Sequence, residues 1–343
     1  MSSQEATFQK FDRQIGGHDR LLSVNDGFLI VKPCNSIEKI FYENSVLYPD
    51  FAEWIPKYYG SLQLQGVQSE SNNLETIAQN VREEISSQQA NVTEVDEAIC
   101  IENLIYKFKK PCIMDLKLGT QLWGEDADEA KRQRMTKKSL ESTSSSLGIR
   151  IVAFQVYRKS SDSFFNFTKE DGRKTTTKSI VSDLAEFFTS EIPIDHRRIV
   201  IERFINDLES SLRVLEKQEI RLIGASLFFV YEGDPDTFAE ALNKEQEQNH
   251  ETKIYNNGYA EEEIEEDIEE EEGEEEEKEE EIEEEEDDTD SDYEDTYKIT
   301  DLKVIDFAHS FFREGIGKDE GVLLGLNNTI KYFKQILNEE KYH

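Results

Sequence analysis

Along the first third of the chain, short apolar runs of four or five residues alternate with polar turns, a texture that predicts strands more than helices. Residues 21–24 (LLSV) and 28–32 (FLIVK) are two such runs. Asn25-Asp26-Gly27 between them predicts a hairpin, because these residues tolerate the positive φ of tight turns, and Pro33 is expected to end the second strand. From Ser36 the period changes. Ile37, Ile40 and Phe41 recur at helical spacing, with Glu38 and Glu43 off that stripe, until the prolines at 49 and 56 interrupt it. Residues 66–95 are polar and predict a loop or weak helix, and 98–101 a short buried strand. The next apolar run, 111–118, is followed by a helix start at Gly124-Glu125-Asp126, a helix over 130–138, a small-residue loop at 142–146 and a strand over 148–157. Helices are predicted over 180–190 and 194–217. Residues 220–231 predict a strand pair or a long strand kinked at Gly224, 299–306 a strand, and 321–337 a closing helix.

Charge changes this picture in one place. The 343 residues carry a formal net charge of −36, but residues 261–295 alone hold 27 acidic residues and one lysine. Such a segment repels itself and has little apolar content, so it is expected to be a disordered loop over about 247–297 joining two strands of the same lobe. Closing a loop of that length adds little entropy beyond that of a shorter one. The rest, 48 acidic residues against 38 basic, is mildly acidic and has no general nucleic-acid footprint. Cys34, Cys100 and Cys112 form neither a disulfide framework nor a zinc pattern, which fits a reducing compartment. With no apolar leader and no run of membrane-spanning length, a soluble intracellular protein is expected. Ser291, within DTDSDYED, is a candidate for acid-directed phosphorylation.

The candidate chemistry concentrates in three motifs. In Pro111-Cys-Ile-Met-Asp115-Leu-Lys117-Leu-Gly119, Asp115 and Lys117 lie two apart on a strand and so face the same way. A carboxylate beside an ammonium is what phosphoryl transfer uses, one for hydroxyl or metal and the other for phosphate oxygens. The plain alternative is a buried strand with two charges at its exposed end. Ile305-Asp306-Phe307-Ala308-His309 closes an apolar strand with an aspartate placed to hold a metal ion, or simply to cap the next turn. Lys32 ends a strand of the N-terminal sheet, where a lysine can either reach nucleotide phosphates or face solvent. Lys131, Arg132, Arg134, Lys137 and Lys138 lie along one helix, and 131, 134 and 138 share a face, forming either an anion wall or a solvated surface. No Gly-x-Gly-x-x-Gly loop, no Walker motif and no evident general base occurs.

The spacing Pro-x-x-x-Asp-x-Lys-x-Gly together with Ile-Asp-Phe-Ala resembles the inositol polyphosphate kinase family. The likeness extends over about residues 15–60, 98–160, 220–232 and 299–335. In the third motif, Gly224 to Glu232, the family's Ser-Leu-Leu reads Ser226-Leu-Phe228, which keeps an apolar strand and implies a part for Ser226 in shaping the nucleotide site. The resemblance implies an α+β, two-lobed kinase-like fold with antiparallel sheets and a small helical substrate-binding insert. Residues 1–103 would form the N-terminal lobe with a hinge at 102–104, and 104–343 the C-terminal lobe with the insert at about 121–150. It implies ATP and Mg²⁺ as cofactors. Lys32 would bind ATP phosphates, with Glu38 orienting it, and Glu102 and Leu104 would be adenine neighbours. Asp306 would be the metal ligand, and Asp115 and Lys117 would arrange donor and acceptor. Lys131, Arg134, Lys138, Gln155 and His309 would face the inositol phosphate.

The short stretch between Asp115 and Gln155 leaves little room for a large substrate domain. The expected activity is therefore a multikinase taking inositol 1,4,5-trisphosphate to tetrakis- and pentakisphosphate, rather than a selective trisphosphate 3-kinase or a hexakisphosphate kinase. By the same resemblance, which is to the fungal members, the protein would be a monomer in nucleus and cytoplasm. It would also serve as a transcriptional co-regulator contacting transcription factors through the acidic loop, and phosphoinositide head groups are further candidate ligands. The competing readings are a phosphoinositide lipid kinase and a non-catalytic acidic-tract binding protein. Retention of Lys32, Asp115, Lys117 and Asp306 speaks against the last.

Overall fold

The computed structural model describes residues 8–10, 21–24, 27–63, 97–248 and 297–339. Asn25 and Asp26, the polar stretch at 66–95, and the acidic tract with Ser291 lie outside the described residues. Strands β1 (Phe8–Lys10), β2 (Leu22–Val24), β3 (Leu29–Cys34), β4 (Tyr58–Gln63) and β5 (Glu97–Glu102) form an antiparallel sheet in the order β1-β2-β3-β5-β4. Helices α1 (Ser36–Ser45) and α2 (Pro49–Ala52) lie between its strands in the sequence. The hairpin prediction holds: β2 pairs with β3, and Gly27, at φ 92, donates to the Val24 carbonyl. The expected stop at Pro33 does not occur, because β3 continues to Cys34. Among the described residues its pairing with β2 runs only as far as Val31, so the missing N–H of Pro33 lies beyond that ladder.

A second antiparallel sheet carries most of the candidate chemistry. It contains β6 (Pro111–Leu118), β7 (Ile149–Arg158), β8 (Ser163–Phe167), β10 (Ser226–Glu232) and β11 (Thr300–Ile305), in the order β11-β10-β6-β7-β8. Alternation along β6 and β10 divides residues between two faces. Met114, Leu116, Leu118, Leu227, Phe229 and Tyr231 are fully buried in the main core. That core is completed by α6 (Ile180–Ala185), α7 (Ile194–Leu215) and α9 (Glu320–Glu339), with α8 (residues 235–248) following β10. On α7 the buried Val200, Ile201, Phe204, Ile205, Leu208, Ser211 and Leu215 follow the helical period and make its inner stripe. The opposite face of the sheet carries Ile113, Asp115 and Lys117 from β6, paired across to Val230, Phe228 and Ser226 of β10.

The predicted 220–231 segment resolves into a strand pair, β9 (Ile220–Arg221) and β10, with Gly224 at φ 72 between them. β9 pairs with β12 (Phe311–Phe312). Three local predictions are corrected. The helix after β6 is α3 (Glu129–Leu140), started by Asp128, whose side chain accepts from the Lys131 N–H, and not by the turn at 124–126. The small-residue loop is a helix, α4 (Thr143–Leu147), capped by Ser142 and ended by Gly148 at φ 67. β8 and α5 (Lys169–Lys174), the latter with a Thr168/Asp171 capping box, were not predicted. Among the described residues no helix is long and apolar enough to cross a membrane.

Gly148 and Gly325 bring the insert's end and α9 into backbone contact. A Cβ on Gly325 would lie 2.7 Å from Leu118 Cδ1 and 3.0 Å from the Gly148 carbonyl carbon, with Gly148 O closer still. Glycine to alanine inside a helix normally stabilises by about 0.5–1 kcal/mol. At this position the sign should reverse: Gly325→Ala is expected to lose about 1–3 kcal/mol in urea unfolding through overpacking, and a stabilised variant would disprove the close approach.

Candidate active site

The site forms where α1, β3 and the end of β11 meet. Helix α1 buries Glu38, Phe41, Tyr42 and Ser45, a stripe with i, i+3, i+4, i+7 spacing, and turns Ile40 out to solvent. The sequence pattern had placed Glu38 off the stripe. The reason for the inversion is electrostatic, because the buried carboxylate meets Lys32, whose Nζ donates to Glu38 Oε1 at 2.8 Å. The same Glu38 oxygen accepts from the Phe307 N–H at 3.1 Å. Phe307 is fully buried and stacks on Phe41 at 4.3 Å between centroids, and Phe41 stacks in turn on Phe312 at 4.8 Å.

Asp306 therefore stands at a fixed point. Its backbone is left-handed, φ 69, which costs a non-glycine residue roughly 1–2 kcal/mol and which aspartate tolerates better than most. Oδ1 accepts from Lys32 Nζ at 3.0 Å and Oδ2 from Lys117 Nζ at 2.9 Å. Burial works against its charge, but the two ammonium groups outweigh it and hold the carboxyl well below the usual range. Lys32 is likewise opposed by burial, yet Glu38 and Asp306 keep it firmly protonated. Lys117 also donates to the Gly224 carbonyl at 2.6 Å.

Asp115 is different in kind. It is 5% exposed, and its Oδ1 is buried without a hydrogen-bond partner, as is the Ser226 hydroxyl on the neighbouring strand. Desolvation raises its affinity for a proton. Lys117, Ser226 and Arg150 oppose this, and the nearby Asp306 charge adds to it.

A β-bulge beside Asp115 decides what faces it. On β7, Ala153 pairs with Asp115 but Ile151 pairs with Leu116, so Val152 is the extra residue. Unbroken alternation would put Ile151 opposite Lys117 and Arg150 on the core face. The bulge instead buries Ile151 with the core and places Arg150 opposite Lys117. Helix α5 packs over this bulge through Gly172, where a Cβ would lie 2.9 Å from the Val152 carbonyl oxygen, and so brings Arg173 in. Lys138 from α3 completes the group. Burial lowers its pKa, and repulsion from Arg150, Lys117 and Arg173 lowers it further. Arg150 is shifted down by burial and by Arg173, with Asp115 acting the other way, and its Nε is buried without a partner. Among the described residues Lys138, Arg150 and Arg173 have no carboxylate within ion-pair distance, a cluster that calls for a multivalent anion.

Sequence reasoning found Lys117 and Lys138 of this cluster and missed Arg150 and Arg173. The available signal was an arginine on the core-facing period of an apolar strand, which is affordable only if the strand is bulged. Of the other proposed anion ligands, Lys131 is half-buried and Arg134 exposed, with no ion pair for either among the described residues. Arg132 is used locally, donating to the Ala127 and Glu125 carbonyls over the Trp123 ring. Gln155 lies on the site face beside Ile113, toward the hinge, and its amide donates to the Pro111 carbonyl. His309 Nδ1 is 3.3 Å from Asp126 in the insert's lead-in. At the end of β5, the Glu102 carboxylate accepts from the Lys57 N–H and lies near Lys298, so that side chain is occupied, while Leu104 is half-buried in the following turn. Asn103 ties the hinge to the hairpin, its N–H on the Phe28 carbonyl and its amide on Gly27 O at 2.5 Å.

This geometry can be set against known proteins. The family pattern for inositol polyphosphate kinases matches residues 98–334. The chain belongs to the inositol polyphosphate kinase family. Among its relatives, the inositol polyphosphate multikinase of Schizosaccharomyces pombe is 31% identical over 226 residues, 65% of this chain and 78% of the relative. The multikinase of Saccharomyces cerevisiae is 29% identical over 362 positions, 95% of this chain and 98% of the relative. Mouse inositol hexakisphosphate kinase 3 is 35% identical over 138 residues, 40% of this chain and 34% of the relative. The solved structure of the S. cerevisiae inositol phosphate multikinase, a complex with ADP and Mn²⁺, superposes with a TM-score of 0.62 at 24% identity, covering 91% of this chain and all of that one. The fold is thus the α+β kinase-like fold of this family, and the protein is a kinase of inositol polyphosphates.

Burial gives Asp115 a testable signature. Because its folded-state proton affinity is raised, ionising it costs stability, and that cost appears only as pH rises above the ordinary carboxyl value of about 4. Asp115→Asn is expected to melt higher than the parent at pH 7, with the difference shrinking to nothing near pH 4, while turnover falls by about 100-fold or more. Equal melting temperatures across that range would remove the desolvation argument.

Proposed function

We propose that this kinase is an ATP- and Mg²⁺-dependent inositol polyphosphate multikinase that phosphorylates inositol 1,4,5-trisphosphate to tetrakis- and pentakisphosphate. The observation that carries the acceptor class is the unpaired cationic group Lys138, Arg150 and Arg173 beside Lys117, on the same sheet face as Asp115. The insert between β6 and β7 holds only α3 and α4, so the acceptor side is a low platform that supports more than one ring orientation. Alignment with both yeast multikinases over most of their length supports the same choice.

A divalent ion fits the residues present. Magnesium is commonly held by one or two carboxylates plus substrate phosphates, so no dedicated protein cage is needed. None exists among the described residues, where no group of three or more histidine, cysteine or acidic side chains converges. Asp306 would hold the ion, which would neutralise charge on the nucleotide's terminal phosphates. Lys32 then binds phosphate oxygens of the donor, fixed in place by Glu38. Lys117 steadies the transferred phosphoryl group. The acceptor hydroxyl hydrogen-bonds to the unpartnered Oδ1 of Asp115. As its oxygen bonds to the γ-phosphorus and the bond to ADP breaks, its proton passes to that carboxylate. The apolar residues one step toward the hinge, Ile113, Val230 and Phe228 with Ile105 and Phe108, give an adenine ring a floor. The acidic tract, by charge alone, is proposed to contact basic protein partners, transcription factors among them.

Purified protein with ATP, Mg²⁺ and inositol 1,4,5-trisphosphate should give sequential tetrakis- and pentakisphosphate on anion exchange. A single tetrakisphosphate product would indicate a selective 3-kinase instead. Asp306→Asn, which keeps an αL-tolerant side chain, and Lys117→Ala should each lose about 100-fold or more in turnover. Arg150→Ala should raise KM for the inositol phosphate by about 10-fold, with a smaller change in KM for ATP.

A further inference from the structure

Asn35 makes two contacts that belong to different parts of the molecule. As the N-cap of α1, its Oδ1 accepts from the Glu38 N–H at 2.9 Å, satisfying a donor the helix leaves free. Its Nδ2 donates to the Ala308 carbonyl at 2.9 Å, 273 residues further along the chain. One bond fixes the direction of the other, because an amide whose oxygen faces the helix presents its nitrogen to the turn after β11.

That turn contains the left-handed Asp306. A strained conformation of this kind persists only where its surroundings over-determine it. Besides the two lysines on the Asp306 carboxylate and the Ser310 N–H on the Phe307 carbonyl, three contacts reach this turn from α1 and its cap. The Phe307 N–H is held by the Glu38 carboxylate, the Phe307 ring is stacked on Phe41, and the Ala308 carbonyl is held by Asn35. All three holding residues come from the first two turns of α1 or its cap. The peptide before Phe307 and the peptide after Ala308 are thus gripped, the N–H of the first by a carboxylate acceptor and the C=O of the second by an amide donor.

We infer that Asn35 is a positioning residue for the reaction: its amide and the Glu38 carboxylate form a two-point clamp that holds the Asp306 turn against the start of α1 and so sets where the Asp306 carboxylate stands relative to Lys32. The clamp links the order of the helix carrying Glu38 to the placement of the carboxylate at the end of the other sheet. This inference rests on the proposed role of Asp306 in holding the metal–nucleotide complex.

Two substitutions separate the clamp from the cap. Asn35→Ser keeps a cap acceptor and removes the amide donor, while Asn35→Ala removes both. The serine variant is expected to melt within a degree or two of the parent. Its kcat should fall by about 3- to 10-fold, the worth of one solvent-accessible hydrogen bond, and the Mg²⁺ concentration giving half-maximal rate should rise by a similar factor. The alanine variant should show the same kinetic loss plus a lower melting temperature. A serine variant with parental kcat and parental Mg²⁺ midpoint would overturn the clamp and leave Asn35 a helix cap alone. Asp306→Asn is run beside them. If it stays active, the reading of Asp306 itself fails. If it is dead while Asn35→Ser is normal, only the clamp fails.

Discussion

The Asp306 carboxylate joins two ammonium groups that the chain brings from different sheets, Lys32 from β3 and Lys117 from β6. Neither lysine could be held at this depth without a counter-charge, and one aspartate could not satisfy both unless its backbone were turned out of the strand. The left-handed conformation at Asp306 is that turn. The rest of the local structure reads as support for it: a glutamate forced onto the buried stripe of α1, aromatic rings stacked through Phe41, and an N-cap whose spare amide reaches across. With no nucleotide, four charges balance: Lys32 and Lys117 against Asp306 and Glu38.

The acceptor side is built on the opposite electrostatic logic. Lys138 and Arg150 lie near Arg173, and burial and repulsion disfavour the charge of Lys138 and of Arg150, with Asp115 opposing this at Arg150. Lys138 and Arg173 are exposed and Arg150 is half-buried, so the cluster presents its donors to solvent, where a polyanion can accept charge-assisted hydrogen bonds. The cluster's geometry depends on one inserted residue in β7 and on one glycine in α5 that lets a helix lie on the bulge. Asp115, between the two charge groups, is buried and its Oδ1 has no hydrogen-bond partner among the described residues.

Much of this was legible in the sequence, for identifiable reasons. Period-two alternation in 111–118 fixed which side chains of β6 face the core and which face the site, so Asp115 and Lys117 were paired correctly before any coordinates. The apolar runs at 28–32, 148–157 and 299–306 became β3, β7 and β11 with shifts of a residue or two. The motif residues identified the family because phosphoryl transfer constrains both residue type and spacing. Periodicity cannot register an insertion of one residue, such as the bulge that turns Arg150 to the site face, nor a helix whose buried stripe is chosen by a charge and not by its isoleucines, as with Glu38 in α1.

The sequence by itself determined the elements, the polarity of each sheet face, the confinement of acidity to one segment, and the identity of Lys32, Asp115, Lys117 and Asp306 as a chemical set. All of these follow from local rules whose range is a turn or a strand pair. Only the tertiary structure decided which charges neutralise one another and which remain unpaired. It linked Lys32 with Glu38 and Asp306, left Arg150 facing Arg173 and Lys138, and stretched Asn35 to Ala308. Coulomb energies and hydrogen bonds depend on distances of a few ångströms between residues that can be hundreds apart in the chain, and those distances exist only once the chain has folded.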